Sequence, residues 1–454
     1  MGKFNHTQFL VDESVTVKEA LVAIDANQNG LVFVCDKNNI VVGLLTDGDI
    51  RRALLSGLNL GTTAGSIANK EFVFASQETP REQLLKMLDW RVKAIPILKS
   101  GVLVDLVTRD HFPASNEGKV IVRSRAPVRI SFGGGGSDVT HFFQAQKGAV
   151  LNAAISLYAH ATLWPRDDGK INISSGDLNS ELNADNLDEA TSQTGELGLL
   201  QALLLVVRPS FGFDLHVYSD FGVGSGLGGS ASVAVAVLGC FNALRNDQWT
   251  RYEIAELAFQ AERLHMGVSG GWQDQYAAAF GGINFMEFKS NRNSVTPLAI
   301  DRQIISELQE NLILCNTGIK HISGSIHDDQ KREMAKDEKK ELVKQNVKLT
   351  EGLKRALVAG DLTSVGIQMN KGWKIKRQLS SKISSNQIDH AYDEVMASGA
   401  LGGKLLGAGG GGYFLFFVAG DQQLAVRKRI IELGMEMQPF SFDKEGLCTW
   451  KVRL

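Results

Sequence analysis

The stretch FGVGSGLGGSASVAVAVLGCFNAL, residues 221–244, decides the fold of most of this chain. Its glycines let backbone amides approach an anion, and the apolar helix that begins near Ser230 adds free N–H groups and a dipole at the same point. The stretch therefore predicts a phosphate cradle. The residues expected to form it are Gly224, Ser225, Gly226, Leu227, Gly228, Gly229, Ser230, Ala231 and Ser232.

This loop differs from the two common nucleotide-binding motifs. No lysine follows its last glycine as in GxxxxGK[ST], and it is not the dinucleotide fingerprint in a βαβ context. A glycine loop alone is a tight turn about as often as a phosphate site. Ser230 and Ser232 favour the phosphate site, because they place hydroxyls at the helix start, where one of them can ligate Mg²⁺.

Length and composition limit the remaining possibilities. A chain of 454 residues exceeds what one hydrophobic core covers, so we expect at least two domains. With 48 Lys+Arg against 50 Asp+Glu, the net charge of −2 gives no general attraction for a polyanion, which argues against nucleic acid as a partner. The four cysteines form no CxxC pair and fit reduced thiols in the cytoplasm.

No segment has the pattern of a membrane span or a secretory signal. The N-terminus MGKFNHTQFL has no sustained apolar stretch after its lysine. The longest small and apolar run, residues 231–244, is shorter than the roughly 20 residues that cross a bilayer. We expect this run to be a buried helix and the protein to have no membrane partner.

The first hundred or so residues contain an internal repeat. Residues 15–54 and 79–112 each read as helix, strand, turn, strand and then helix, with Thr46 and Thr108 at matching places. Because each copy is too small to bury its own apolar face, the two should pack as one α/β domain. We expect this domain to span residues 1–117, with PASNEGK as the linker, and a second domain to span 118–454.

Three glycine segments punctuate the second domain: the first at residues 133–136, the second at 222–229 and the third at 402–412. GLGGSAS in the second resembles the phosphate motif GLGSSA of GHMP kinases, the galactokinase, homoserine, mevalonate and phosphomevalonate kinases. APVRISFGGGGSD resembles the family's first motif, PGRVNLIGEHTD, and GGKLLGAGGGGYFLFF resembles its third. The resemblance implies an α+β GHMP kinase fold of two lobes with the active site between them, and ATP and Mg²⁺ as cofactors.

The resemblance also implies catalytic roles. Ser230 and Glu262 would hold Mg²⁺ on the β- and γ-phosphates, and Asp274 would face the attacking hydroxyl as a base or as an orienting acceptor. Arg129 is the expected partner of Asp274. The alternative for Glu262 and Asp274 is a surface pair with no common target. A non-catalytic, nucleotide-binding regulator is a further alternative, against which the presence of all four residues argues.

The acceptor site is expected around Asp138, Gly409 and Gly410. A carboxylate with two free oxygens can accept hydrogen bonds from a vicinal diol, which favours Asp138 as a sugar ligand. An Asp that caps a helix N-terminus is the alternative, because SD after four glycines fits that pattern as well. Gly409 and Gly410 belong to the third motif, whose loop closes over nucleotide and substrate in the family.

Four segments look like those of heptose 7-phosphate kinases, which phosphorylate the anomeric hydroxyl of D-glycero-D-manno-heptose 7-phosphate on the way to nucleotide-activated heptose. They are RISFGGGGSD, TGIKHISGSI, MNKGWKIKRQLSSKIS and KLLGAGGGGYFLFF. Trp272 departs from that subfamily, where a lysine is common, and resembles fucokinases. Lys374, Lys376 and Arg377 either supply the missing charge or form a solvated helix face. A fucokinase- or galactokinase-like kinase of an unphosphorylated sugar is thus the alternative.

The N-terminal repeat resembles a pair of CBS domains, which commonly bind adenine nucleotides between the repeats. GLLTDGDIRRAL carries the [ST]xxD ribose motif as Thr46 and Asp49, whereas the second copy has His111 at the aspartate position. The resemblance implies one adenine-nucleotide site and a regulatory role. The alternative is a pair that only mediates dimerisation, and we expect a homodimer.

Overall fold

The computed structural model describes residues 6–88, 92–108, 120–267, 270–319, 329, 332–333 and 336–453. The chain divides into two compact units, Met1–Glu117 and Gly118–Leu454. The predicted linker and His111 lie outside the described residues. Across the described ranges, no helix combines the length and the apolar character needed to cross a bilayer.

The first unit contains two small three-stranded sheets with short helices. Its strands are β1 (Leu10–Asp12), β2 (Leu31–Cys35), β3 (Val41–Thr46), β4 (Ala75–Ser76), β5 (Ala94–Lys99) and β6 (Val102–Thr108). Its helices are α1 (Val17–Asn27), α2 (Asp47–Leu55), α3 (Ala64–Ile67) and α4 (Arg81–Met87), after a 3₁₀ turn at His6–Phe9.

The two sheets of the first unit have the same topology. In each, the first strand pairs parallel with the second, and the second pairs antiparallel with the third. The last pair of each sheet also carries a register shift, at Val34/Cys35 in one and Ile97/Leu98 in the other. The internal repeat of the sequence is therefore a repeat of structure. The β2 strand, LVFVC, is buried throughout and forms the centre of its sheet.

The second unit mixes strands and helices along the chain. Its strands are β7 (Val120–Gly133), β8 (Gly148–Arg166), β9 (Ile171–Ser175), β10 (Ser180–Ala184), β11 (Gly212–Ser219), β12 (Ile283–Lys289), β13 (Arg292–Pro297), β14 (Leu312–Asn316), β15 (Gly402–Leu405), β16 (Tyr413–Phe417), β17 (Glu436–Met437) and β18 (Cys448–Arg453). Its helices are α5 (Thr140–Phe143), α6 (Leu187–Ser192), α7 (Gly198–Val207), α8 (Gly229–Leu244), α9 (Arg251–Gln260), α10 (Gln273–Phe280), α11 (Arg302–Glu310), α12 (Asp337–Ala359), α13 (Leu362–Arg377), α14 (Asn386–Ala397) and α15 (Gln423–Glu432). A π-helical turn at Ala261–His265 extends α9, and a 3₁₀ turn lies at Gly420–Gln422.

Two sheets organise this unit into two lobes. The first sheet runs β10-β9-β11-β8-β12-β13, with β7 pairing β8 and β18. The 19-residue β8 is long enough to pair with β12 through its first half and with β11 through its second. The second sheet runs β15-β16-β14-β17. A core cluster that includes Ile130 of β7 and Leu415 of β16 joins the lobes, so the segments between them are held from both sides.

The helix predicted to follow the phosphate cradle is α8. Its residues from Ala231 to Phe241 are almost all buried, and it packs against β7 and β8. A helix that is apolar around most of its circumference must lie inside the protein, which explains why this run is a core element rather than a membrane span.

Candidate active site

The three glycine segments meet around one cavity of about 310 Å³. The first segment contributes Gly135 and Gly136, and the third contributes Gly407. The second contributes most of the predicted cradle, namely Gly224, Ser225, Gly226, Gly228, Gly229 and Ser230. Convergence of distant backbone turns on one space is what the phosphate-cradle hypothesis requires.

Direct backbone contact joins the second and third segments. A Cβ placed on Gly407 would lie 2.7 Å from Gly226 Cα, and Gly407 has a φ of +63°. Both the space and the left-handed backbone exclude any other residue there. The junction of the two segments thus forms a fixed wall of the cavity.

Ser230 and Glu262 are in contact at the start of α8. The Ser230 hydroxyl donates to Glu262 Oε1, and the Gln275 amide donates to Oε2. Glu262 is only 3% exposed, which excludes the surface-pair alternative for this carboxylate. It lies on the π-helical turn, and such turns often occur at functional sites because they reorient one side chain within a helix.

Asp274 and Arg129 form an ion pair at the cavity wall. Arg129 Nε and Nη2 both lie 2.7 Å from Asp274 Oδ1, while Nη1 donates to Gly226 O at 2.8 Å. Arg129 is 4% exposed, whereas the Asp274 side chain keeps 21% of its surface open. The arginine therefore fixes the carboxylate against the phosphate cradle and leaves its second oxygen available.

Asp138 is buried at the same cavity and does not occupy the N-cap of α5, the helix that follows it. Its carboxylate accepts from the Gly136 amide at 3.1 Å and from the backbone and side-chain nitrogens of Gln273, both at 3.2 Å. The N-cap of α5 is Val139, without a side-chain cap, so Asp138 does not cap the helix that follows it in the chain. The Gln273 amide that Asp138 accepts is instead the first amide of α10. Burial, and then the charge of Asp274, raise the pKa of Asp138.

Close backbone approach holds Asp138 in place. A Cβ on Gly271 would lie 1.9 Å from Asp138 Oδ2, so only glycine fits. The neighbouring Trp272 does not line the cavity. Its ring stacks on Phe259, with centroids 3.4 Å apart, and its Nε1 donates to Thr140 Oγ1 at 2.9 Å. The departure from a lysine at this position therefore changes packing rather than the charge inside the cavity.

Of the three candidate cations on α13, only Lys376 faces the cavity. It is 7% exposed, and its Nζ donates to Gly407 O at 2.5 Å. Lys374 is exposed, and Arg377 pairs with Asp389 at 2.6 Å. Burial, followed by the charge of Arg129, lowers the pKa of Lys376 to about 8.

A second buried lysine lies behind the cavity wall. Lys404 donates to Ser131 Oγ at 2.9 Å, and Ser131 lines the cavity. Burial, and then the neighbouring charge of Lys376, hold the pKa of Lys404 well below its ordinary value. Three cations therefore surround two carboxylates at this end of the cavity. The cations are Arg129, Lys376 and Lys404, and the carboxylates are those of Asp138 and Asp274.

Some residues predicted for the site lie behind its surface. Leu227, Ala231 and Ser232 are buried beneath the cradle, and the Ser232 hydroxyl donates to Pro127 O at 2.8 Å. Gly409 and Gly410 pack against residue 383: a Cβ on Gly409 would lie 2.7 Å from Ile383 O, and the Gly410 amide donates to the same oxygen. Gly407 and Ala408 line the cavity in their place.

Sequence reasoning missed Gln273. It is 8% exposed, lines the cavity and binds Asp138, while its Oε1 has no partner among the described residues. The position next to Asp274 carried no distinguishing signal in the sequence.

In the first unit, Thr46 and Asp49 form the capping box of α2. Thr46 Oγ1 donates to Asp49 Oδ2 at 2.6 Å, and the Asp49 amide donates back to Thr46 Oγ1 at 3.2 Å. Arg52 pairs with the other carboxylate oxygen at 2.6 Å. Both side chains therefore stabilise the helix start, and their role as nucleotide ligands stays a prediction.

Comparison with known proteins identifies the family. Residues 197–282 match the family model described as GHMP kinases N terminal domain, and residues 353–432 match GHMP kinases C terminal. The D-glycero-alpha-D-manno-heptose 7-phosphate kinase of Campylobacter jejuni is 36% identical over 337 residues, which are 73% of this chain and 99% of that protein. The chain belongs to the GHMP kinases. It is an ATP-dependent sugar kinase, and the α+β fold predicted from the three motifs is confirmed.

Further relatives extend this comparison. This GHMP kinase is 29% identical over 326 residues to a bifunctional fucokinase/GDP-fucose pyrophosphorylase of Arabidopsis thaliana, covering 67% of the chain but 31% of that protein. Residues 6–56 match the CBS domain model, which confirms the resemblance to a CBS domain for the first copy of the repeat.

Two solved structures resemble the second unit. One is described as a D-glycero-D-manno-heptose 1-phosphate kinase from Bacteroides thetaiotaomicron; it has a TM-score of 0.61 and 29% identity, and covers 73% of this chain and 100% of that one. The other is a putative sugar kinase from Campylobacter jejuni; it has a TM-score of 0.60 and 36% identity, and covers 74% of this chain and 100% of that one.

Proposed function

We propose that this GHMP kinase transfers the γ-phosphoryl group of ATP to the anomeric hydroxyl of D-glycero-D-manno-heptose 7-phosphate, in the synthesis of nucleotide-activated heptose. The observation that carries the proposal is the meeting of the Ser230–Glu262 contact, the Asp274–Arg129 pair and Asp138 at one cavity. The heptose kinases among the relatives support the choice of acceptor.

The cradle is proposed to bind ATP through the backbone of the second glycine segment and the start of α8. The donor set fits Mg²⁺, because a serine hydroxyl and a carboxylate are hard oxygen ligands and phosphate oxygens complete such sites. No group of three or more His, Cys, Asp or Glu residues that could hold a metal occurs in the described ranges, so Ser230 and Glu262 are the protein ligands proposed. When bound, Mg²⁺ neutralises charge on the β- and γ-phosphates.

Asp274 is proposed to orient the acceptor hydroxyl and to receive its proton. Arg129 holds the carboxylate through Oδ1 at 2.7 Å, which leaves Oδ2 to face the acceptor. In phosphoryl transfer with a largely dissociative transition state, positioning contributes more than basicity. Asp138 and Gln273 Oε1, which has no partner among the described residues, are proposed to accept hydrogen bonds from ring hydroxyls.

A coupled assay of ADP release tests the acceptor. The panel contains heptose 7-phosphate, the same heptose without phosphate, fucose, mannose and galactose. We expect the highest kcat/KM with heptose 7-phosphate. The highest kcat/KM with fucose would favour the fucokinase alternative. That alternative is supported by the GGWQDQ turn and the Arabidopsis relative. Absence of turnover on the whole panel would refute the proposal.

For the first unit we propose an adenine-nucleotide site at Thr46 and Asp49, a regulatory role and a homodimer. The capping box keeps Asp49 at the start of α2, where a ribose hydroxyl could replace the Thr46 contact. Titration of the full chain with AMP while kinase activity is recorded tests the site, and sedimentation tests the dimer. The four free cysteines support a cytoplasmic location.

A further inference from the structure

Lys376 is a buried cation with no counter-ion among the residues that the structure describes. Its side chain is more than nine-tenths buried and lines the active-site cavity, where the ammonium donates to Gly407 O. In the part of the chain that the structure describes, Lys376 has no ion-pair partner within 4.0 Å. An unpaired buried charge is costly, and an anionic ligand in the cavity would offset that cost for Lys376, which lines it.

The position of the Lys376 ammonium indicates which anionic group it binds. Gly407, its hydrogen-bond acceptor, touches Gly226 of the cradle, and Gly226 O in turn accepts from Arg129. Lys376 therefore lies where the second and third glycine segments join, beside the Asp274–Arg129 pair. Arg129 already neutralises Asp274, and Lys404 does not line the cavity, so the Lys376 ammonium is the lysine placed to meet a phosphoryl group at this junction.

We propose that Lys376 is a catalytic residue, whose ammonium binds an oxygen of the phosphoryl group in transfer. This proposal rests on the proposed kinase function. In the step, the acceptor oxygen forms a bond to the γ-phosphorus, and the bond from that phosphorus to the β–γ bridging oxygen breaks. The hydroxyl proton passes to Asp274, and ADP leaves with the bridging oxygen. Lys376 donates hydrogen bonds and transfers no proton.

The surrounding charges agree with this role. Arg129 on β7 and Lys404 on β15 face the ammonium as like charges, whereas Asp138 and Asp274 oppose them. With burial, the balance lowers the pKa of Lys376 to about 8 in the free protein. A phosphoryl dianion favours the charged form, so it strengthens the ammonium where the transferring group carries its charge.

The test compares Lys376→Met with Lys374→Met, an exposed lysine on the same helix, and with Lys376→Arg, which keeps the charge. We expect Lys376→Met to lower kcat about 10²- to 10³-fold, as for loss of one transition-state donor. Lys374→Met should match the wild type. Lys376→Arg should retain more activity than Lys376→Met. Circular dichroism and thermal unfolding verify that each variant is folded.

Affinities for a non-hydrolysable ATP analogue and for ADP identify the group bound. Lys376→Met should lower the affinity for the analogue at least tenfold and leave the affinity for ADP unchanged, because only the analogue carries a γ-phosphoryl group. If Lys376→Met kept wild-type activity, with a kcat equal to that of Lys374→Met, the proposal would be overturned. A rise in KM for the phosphorylated heptose alone, with kcat and analogue affinity intact, would also overturn it and would assign the ammonium to the acceptor's own phosphate.

Two further measurements keep the inference testable on its own. If the methionine variant does not fold, acylation of Lys376 in the wild-type chain can be measured by mass spectrometry instead. The ATP analogue should suppress this acylation, and ADP should not. Equal labelling in the presence of the two ligands would refute the proposal. If the wild type turns over no acceptor in the panel, the kinase proposal fails, whereas the analogue and ADP affinities still decide the role of Lys376.

Discussion

Lys376→Met should stabilise the free protein near neutral pH while it removes activity. The ordinary pKa of a lysine amine is 10.5, and in the folded chain the pKa of Lys376 is lowered to about 8 by burial. Since one pKa unit corresponds to about 1.4 kcal/mol, holding the charged form in the folded state costs about 3 kcal/mol at pH 7. Loss of the amine leaves Gly407 O without its donor, which costs about 1 kcal/mol. The expected net gain is about 2 kcal/mol.

The sign of the pH dependence follows from proton counting. Between pH 8 and 10.5 the unfolded lysine binds more protons than the folded one, so the wild-type free energy of unfolding gains from this residue as pH rises through that window. The advantage of Lys376→Met should therefore be largest below pH 8 and should vanish by about pH 10.5. Urea unfolding of both proteins at pH 7 and pH 10, followed by tryptophan fluorescence, measures it. A variant that is less stable at pH 7, or a difference independent of pH, would refute the reasoning.

Four other substitutions test the site. Asp274→Ala should abolish turnover and leave ATP affinity nearly intact in a binding titration, because Asp274 faces the acceptor; a collapse of ATP affinity would assign it to the nucleotide. Gly271→Ala should raise the KM for the acceptor more than tenfold, since the added methyl meets Asp138 at 1.9 Å, and an unchanged KM would contradict the placement of the acceptor. Trp272→Lys should give no better KM for a sugar phosphate, because position 272 packs on aromatic rings, and should cost about 3 kcal/mol in urea unfolding. Ser232→Ala should retain kcat within about twofold and lose about 1 kcal/mol of stability, so a large loss of kcat would restore a catalytic role to its hydroxyl.

The features that the sequence predicts well are those with a local physical cause. Glycine is required wherever two backbones touch, as at Gly226 and Gly407, so the segments that form the cavity are visible as clusters. A hydroxyl at a helix start follows from the same reasoning, and Ser230 lies where the second segment predicts it.

Residues outside such motifs were harder to assign. The three cations at the end of α13 are equivalent by composition, and only the helical period separates them. Lys376 follows Val365, Met369 and Trp373 along one buried stripe, at the spacing of a core-facing helix side. That pattern could have selected Lys376 over Lys374. Gly409 and Gly410 illustrate the converse, because a glycine cluster does not say which of its members face the ligand.

The π-helical turn at Ala261–His265 makes the register of Glu262 depend on chain length as well as on residue identity. Loss of a single residue there would restore an ordinary helix and rotate the carboxylate by about 100° about the axis, away from Ser230. Genes that carry such an in-frame deletion would keep every catalytic side chain and still encode an inactive enzyme. In surveys of natural variation, the number of residues in this turn is therefore as informative as their identities.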